Sequence, residues 1–409
     1  MFYDVFIVGG GAAGLCAAIR IKQLDKNLSV AIAERLPRVG KKLITTGNGR
    51  CNITNKNITL DRYHGENKAF AEYALEKFGT EFTENFFYGL GVLFTYEQDG
   101  KAYPYSLQAS SVVDALRFGA ERYKVTVLND CLVTDYSFAK DSYSVIANGK
   151  SLKCRYLILA GGLLSGGEKL GCDGGLLRLL KTKGYKSVKT TPAIVQLKTA
   201  PDVVRSLKGM KVNAEVRLKC DKKTLKSDFG EVLFCDYGLS GPPVMQLSRE
   251  TSRGDGKYTL CLDIMPEYNF NEICEMLISR KKKLSGVALD EFFTGMLNKR
   301  VGQAIIKLCG YKLSDTTDRL STDGIKKIAT LIKDWQFEIT GNTGFLNSQV
   351  TAGGLSTDDF DSKTMMSKRE KGLFAIGEIL DIDGDCGGFN LQWAWSSAFC
   401  ASEAVAGGL

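Results

Sequence analysis

A chain of 409 residues that is 44% hydrophobic can bury a large core, and at roughly 100 to 200 residues per domain it should hold two or three domains. No run approaches the roughly 18 uninterrupted apolar residues of a membrane span, and twelve scattered cysteines with a single histidine exclude disulfide frameworks and multi-histidine metal sites. The net charge of +8 comes from dispersed lysines, and the densest run, Arg280-Lys281-Lys282-Lys283, follows a helical pattern, so it reads as a solvated helix face and not as a nucleic-acid surface.

The N-terminal apolar run is consumed by a first strand and not by a signal sequence. These features predict a cytoplasmic protein with reduced thiols and no stable membrane association. In the first stretch, Val5-Phe6-Ile7-Val8 drops into glycines and resumes at helical spacing through Leu15, Ala18 and Ile19. Gly9, Gly11 and Gly14 fit G-x-G-x-x-G: one lets the chain reverse, one admits a pyrophosphate against bare backbone, and one lets helix and strand pack closely. A second strand, Val30 to Ala33, ends in Glu34, about 20 residues on, where a carboxylate grips ribose hydroxyls. It would repel a 2′-phosphate. The ligand at this site is therefore FAD or NAD and not NADP.

The segment from Arg38 to Asn55 is too rich in glycine and polar groups for a regular element. Gly40-Lys41-Lys42 lacks the earlier glycine of a Walker A loop, so the basic pair is expected to line a diphosphate and the ring system beyond it. Cys51 has no second cysteine nearby, the closest being Cys16 and Cys131, and reads as a packing or ring-contact residue before a thiol catalyst. Helical spacing covers Asn67 to Phe87 and Ser110 to Tyr123, with an aromatic loop, Gly100 to Ser106, between them. His64, in the polar segment from Asp61 to Gly65, reads as a surface residue. A strand from Val125 to Val133, a hairpin through Asn148-Gly149 and a buried strand ending in Ala160-Gly161-Gly162 follow.

Composition shifts after about Thr190. Short strands are predicted over Ala193 to Leu197, Asn213 to Lys219, Glu231 to Phe234, Tyr258 to Asp263 and Trp335 to Ile339, and helices over Asn271 to Arg280, Leu289 to Asn298 and Gly302 to Leu308. The C-terminal stretch returns to the opening style. A strand delivers Gly377-Glu378, and the glycine-rich turn through Gly387-Gly388 opens a helix at Phe389-Asn390-Leu391. A flavin explains both, since the carboxylate can bond ribitol hydroxyls and a helix start can stabilise the anionic reduced ring. A calcium loop through Asp381, Asp383 and Asp385 fails because its last position is Gln392.

At this point the chain resembles the FAD-containing bacterial flavoproteins that include a 3-dehydro-bile-acid Δ4,6-reductase and an aminoacetone oxidase. The resemblance rests on Gly9 to Gly14 with Glu34, on Thr46 to Asn55, on Gly230 to Phe234 with Tyr237 to Pro242, on Val350 to Gly354, and on Gly377 through Trp395. It implies an α/β fold. A Rossmann-like, glutathione-reductase-like FAD-binding domain (1–190 and 341–409) is interrupted by an inserted domain (191–340) of a β-barrel and a helical subdomain at about 268–334. By position, Gly11, Ala13, Glu34, Lys42, Arg50, Asn52, Val133, Gly161, Glu378, Asn390 and Leu391 would contact FAD. The motifs around them add Gly9, Ala12, Gly14, Arg35, Lys41, Thr46, Gly47, Cys51, Ala160, Gly162, Gly377, Gly388 and Phe389. One departure is Leu163-Leu164-Ser165 after Gly162, where the family usually carries a Ser-Tyr-Pro-like segment; it bears on the shape of the adjacent pocket.

The implied activity is that of an FAD-dependent oxidoreductase on a small organic molecule. The first expectation is NAD(P)H-dependent reduction of a conjugated double bond, with NAD(P)H a transient co-substrate because no second dinucleotide fingerprint is present. The alternatives are an amine oxidase using O2, and a non-catalytic FAD-binding or regulatory protein. Reduction of a double bond also needs a proton donor. The candidates are Tyr103, Tyr105 and Cys51, with a tyrosine favoured because its pKa near 10 keeps it protonated.

Overall fold

The structure, a computed structural model, describes residues 2–408 apart from Gln98, Lys222, Arg253 and Asp255. The chain forms two compact units, residues 1–192 with 345–409, and residues 193–344. Among the described residues no helix is long and apolar enough to cross a membrane.

The first unit is built on a seven-stranded sheet. Strand β1 (Phe2–Val8) pairs in parallel with β2 (Val30–Ala33), Val5 opposite Val30, and β2 pairs in parallel with Thr126–Leu128. On its other side β1 lies parallel to Lys150–Leu159. Val5, Phe6 and Ile7 are fully buried, as is nearly all of β2, which is why both read as continuous apolar runs: a parallel strand is covered on both faces. Helix α1 (Ala12–Leu24) returns the chain from β1 to β2. The hairpin between Ser142–Ala147 and Lys150–Leu159 turns on Asn148 (φ +49°) and Gly149 (φ +74°), the two left-handed residues that a tight hairpin turn requires. From the far end of the chain, Leu373–Ala375 adds a parallel strand against Leu157–Leu159. The terminal helix, Phe389–Ala406, is apolar nearly all round, and Trp393, Trp395 and Phe399 are buried in it, as expected of a helix inside a core.

Asn67 to Phe87 is not one helix. It breaks into Lys68–Ala71, Glu72–Lys77 and Thr80–Gly89, because Gly79 takes an extended conformation (φ −76°, ψ −158°) and Thr80 turns its hydroxyl to the carbonyl of Asn55.

The second unit holds a closed six-stranded barrel in the order Leu197–Thr199, Gly238–Ser240, Lys223–Phe234, Lys211–Cys220, Tyr258–Asp263, Trp335–Asn342. The helices Phe270–Lys283, Lys299–Leu308 and Thr322–Lys333 lie between its last two strands in sequence. Two expectations need correction here, and one helix joins those expected. Residues 289–298 form turns, with Gly295 at φ +77° breaking any helix. Thr322–Lys333, capped by the Ser321 hydroxyl, is a further helix within the expected helical subdomain. Residues 193–197 do not form one strand, because Ile194 is left-handed (φ +49°) and separates Ser187–Ala193 from Leu197–Thr199. In the basic run, Arg280 bonds the carbonyls of Phe292 and Thr294 and Lys281 bonds that of Leu320 at 2.6 Å, so half of it ties a helix end to neighbouring turns.

Candidate cofactor site

The first unit gathers the glycine turn, the loop after Glu34 and the start of the terminal helix. At the turn each glycine has its own steric reason. Gly9 (φ +108°) lies so close to the end of the neighbouring strand that a Cβ would stand 2.6 Å from the Ala160 carbonyl. A Cβ on Gly14 would stand 2.0 Å from the Gly9 carbonyl, so this residue fixes the approach of α1 to β1. A Cβ on Gly11 would meet nothing within 4 Å. The space beside Gly11 is open, and Gly11 caps α1 with no side-chain bond, leaving the first-turn amides around Ala12 and Ala13 to an anion.

Glu34 is 8% exposed. Its carboxylate accepts the Gly10 N–H at 2.9 Å and the Leu36 N–H at 2.8 Å, so it is locked against the glycine turn before any ligand arrives. Cys131 donates its N–H to the Glu34 carbonyl, which brings the start of Val133–Ala139 beside the acid. Arg35 pairs with Asp173 at 2.7 Å. The two lysines that follow diverge. Lys41 lines a cavity of about 910 Å³ with Val39, Ile44, Val113 and Arg117, whereas Lys42 meets Glu378 at 2.6 Å. Burial pulls the Lys42 ammonium down, but the Glu378 carboxylate outweighs it and the pKa is raised.

Glu378 is held from both sides: one oxygen takes Lys42 and the other accepts the Thr351 N–H at 2.9 Å. The Thr351 hydroxyl bonds Ser165, which also receives the Ser348 hydroxyl, so the divergent segment after Gly162 joins a buried polar chain ending at Lys42. Gly161 packs against Leu176, and Gly162 faces Glu378. Gly377 (φ +70°) leaves its missing Cβ 3.0 Å from that of Ala13, while Trp393 and Ser397 of the terminal helix bond its carbonyl and N–H. The first turn of α1 and the C-terminal segment are thus neighbours. Gly388 (φ +96°) caps the terminal helix without a side-chain bond, and its missing Cβ would lie 2.9 Å from Asn52 Oδ1. Leu391 packs against the core.

In the loop between, Thr46 bonds its hydroxyl to Leu43 and its carbonyl to the Cys51 N–H, and Gly47 (φ +56°) abuts the Asn52 N–H and the Tyr103 ring. Arg50 stacks over Tyr103 at 4.4 Å, donates to its hydroxyl at 3.3 Å and pairs with Glu97. Tyr103 is buried; Tyr105 is 71% exposed. Burial, then the charge of Glu97, pushes the Tyr103 phenol up against the opposing pull of Arg50 and Lys101. Cys51 is fully enclosed, and burial pushes its thiol up to about 12. That environment withholds thiolate at neutral pH.

His64 is not in a solvated loop. Tyr63–His64 forms a short strand against Asp383–Gly384, and the imidazole meets Asp385 at 2.8 Å. The local sequence is polar, but its partners lie more than 300 residues away and cover it. Nothing near Asp61 to Gly65 in sequence signals them; the alternating acids Asp381, Asp383 and Asp385 were the visible half of the arrangement. Among the described residues no group of three or more His, Cys, Asp or Glu could hold a metal ion.

The residues suit FAD. Gly10 to Gly14 would hold the diphosphate, Glu34 the ribose, and Lys42, Glu378 and the Gly388 turn the ring end. Asn52 Oδ1, buried and without a hydrogen-bond partner among the described residues, supplies an acceptor that a ligand N–H would satisfy.

The family described as HI0933-like protein Rossmann domain matches residues 3–404. The chain is 34% identical to a 3-dehydro-bile acid Δ(4,6)-reductase of Clostridium scindens over 98% of both chains. It is 27% identical to a ribosomal RNA dihydrouridine synthase of Haemophilus influenzae over 99% of this chain and 98% of the relative. In fold it is similar to a 3-ketosteroid Δ4-(5α)-dehydrogenase from Rhodococcus jostii (TM-score 0.51, 14% identical, covering 99% of this chain and 97% of the other).

Proposed function

The chain belongs to the HI0933-like protein Rossmann-domain family, and on that premise we propose that it is an FAD-dependent reductase that saturates a carbon–carbon double bond conjugated to a carbonyl in a small organic molecule, with NAD(P)H as the electron source. It is an FAD-dependent oxidoreductase, and such an enzyme must hold the cofactor, exclude water from the ring and supply a proton. Bound FAD supplies the hydride. The observation that carries the reading is the convergence on one cradle of the open glycine turn, the locked Glu34, the Lys42–Glu378 pair and the uncapped Gly388 turn.

The chain's own contribution to the chemistry is electrostatic and protic. Lys42, held protonated beside Glu378, forms with it an ion pair at the end of the cradle that we assign to the ring. Tyr103 is the donor we assign for the proton, since a phenol is protonated at neutral pH and Arg50 fixes its oxygen. Tyr105 is too exposed for the role, and the Cys51 thiol is enclosed.

A second reading is favoured by the relative named as a ribosomal RNA dihydrouridine synthase. Dihydrouridine is uridine with its C5=C6 bond saturated, and that bond is also conjugated to a carbonyl. The two readings thus share one reaction and differ in substrate size.

The purified protein should be yellow; a colourless preparation that stays flavin-free after incubation with FAD overturns the cofactor assignment. Anaerobic NADH or NADPH should bleach the flavin, and a 3-oxo-4,6-diene steroid should reoxidise it. Reoxidation by uridine-containing RNA alone selects the second reading. Bleaching by an amine such as aminoacetone, with neither nicotinamide active, selects the oxidase.

A further inference from the structure

We propose that His64 is a positioning residue for the turn that opens the terminal helix, acting through the carboxylate of Asp385. This rests on the FAD reading above only for the step from the turn to the cofactor. The turn from Gly384 to Gly388 contains three glycines, two of them left-handed, Gly387 at φ +124° and Gly388 at φ +96°. Such a segment has little conformational preference of its own and must be held from outside.

The strap from Arg62 to Glu66 does the holding. His64 stands opposite Asp383 in a two-residue antiparallel ladder. The Asp385 N–H donates to the Arg62 carbonyl at 2.9 Å, and the Glu66 N–H donates to Asp381 Oδ2 at 2.8 Å. The Tyr63 hydroxyl donates to the Phe389 carbonyl at 3.0 Å; burial, then the charge of Asp385, pushes that phenol far up, so it remains a donor. Between the ladder strands there is no slack, because a Cβ on Gly65 would stand 2.2 Å from the Asp381 carbonyl.

His64 Nε2 at 2.8 Å and Arg62 at 3.3 Å both reach the Asp385 carboxylate, which is 5% exposed. The Arg62 side chain is 53% exposed and that of His64 20%. Solvent screens the first far more than the second, so the imidazole is the firmer grip. Beyond the carboxylate, Asn390 in the first helical turn is clasped by the backbone it holds. It accepts from the Gly384 N–H at 2.8 Å and donates to the carbonyls of Gly384 and Asp385 at 2.7 and 3.2 Å. The sequence of contacts runs from His64 through Asp385 to Asn390 and the helix start.

The test uses His64→Leu, which keeps bulk and loses the donor, and His64→Gln, which can return a donor to the Nε2 position, both in the full chain. In the apo protein, amide hydrogen exchange at residues 384–391 should accelerate in His64→Leu and return toward wild type in His64→Gln. FAD dissociation constants should rise about tenfold in the first and stay within about threefold of wild type in the second, the scale of one hydrogen bond to a charged group. Equal exchange and equal affinity in wild type and both variants overturn the proposal. So does equal loss in the two variants, which would mark a purely steric role. Should His64→Leu fail to fold, Asp385→Ala, which removes the acceptor, must show the same faster exchange, and wild-type exchange in it overturns the proposal. A wild-type protein that binds no FAD removes the functional reading, while the apo exchange still decides the role of His64.

Discussion

The two ends of the cradle, which we assign to adenosine and to the flavin ring, are built by different means. At the adenosine end, the glycine turn and Glu34 come from one β–α–β passage, and Glu34 bonds Gly10 across only 24 positions. At the ring end Lys42 finds Glu378 across 336 positions, Thr54 finds Gln392 across 338, and His64 finds Asp385 across 321. Contacts within one short passage decide the first end, and side chains paired across most of the chain decide the second. A local constraint leaves a motif that can be read from the chain; a pairing at long range leaves two unremarkable residues.

The largest effect that would break this contrast is at Gly14. Gly14→Ala forces a Cβ to within 2.0 Å of the Gly9 carbonyl, and overpacking of this kind costs about 3 kcal/mol or more at so short an approach. Urea denaturation should show it; wild-type stability would mean that β1 and α1 are not locked by steric fit. Next is Tyr103→Phe. Product formation should fall about 100-fold, at the lower end of general acid catalysis, while nicotinamide bleaching of the flavin is unchanged. A variant that turns over normally would leave the proton to another group.

Acid substitutions sharpen the comparison. Glu34→Gln should weaken FAD binding about tenfold through loss of charge-assisted bonds. It should also destabilise the apo protein, because the new amide must face the Gly10 and Leu36 N–H donors that the carboxylate now satisfies. Weakened FAD binding with an unchanged apo melting temperature would show that the lock on the turn is inconsequential. At the other end, Lys42→Met should lower the apo melting temperature by a few degrees, since loss of one charge-assisted bond is worth about 1.5 kcal/mol or more. The Lys42 pKa is raised from 10.5. Its stabilisation is therefore fully present below pH 10.5 and fades as pH climbs through the raised value, so the difference between wild type and variant should be flat across neutral pH and close in strong base. A difference already vanishing at pH 8 contradicts the pairing. The smallest effect is at Cys51, whose thiol is pushed up to about 12. Native protein should leave it unlabelled by iodoacetamide at pH 8, as peptide mass mapping would reveal.

What the sequence disclosed follows the same division. β1, α1, β2, the Asn148-Gly149 turn and the buried strand before Gly161 all carry local signatures, either continuous apolar runs or glycines at forced angles. So does the Rossmann-like fold, whereas the barrel is implied by the family resemblance alone, the residues showing only short alternating strands. The helix Thr322–Lys333 also carries local signatures, in its Ser321 cap and its apolar spacing through Ile325, Ile328 and Ile332. Residues 289–298 were misjudged because apolar spacing alone cannot weigh a left-handed Gly295. His64 was misplaced for a different reason. Polarity of neighbours in sequence says nothing about a partner strand more than 300 residues later.

The strand Leu373–Ala375, which joins the sheet beside Leu157–Leu159, has a consequence for the order in which the protein comes into being. During translation Lys150–Leu159 leaves the ribosome more than 200 residues before its neighbour, and until then one side of its C-terminal end presents unpaired backbone groups. The barrel closes wholly within residues 197–342 and can form in that interval, as domains generally fold as units during synthesis. Chains truncated between about residues 345 and 370 and released should therefore contain a protease-resistant barrel and an open-edged, chaperone-dependent sheet. The passage to a protein able to retain flavin awaits the last stretch of polypeptide.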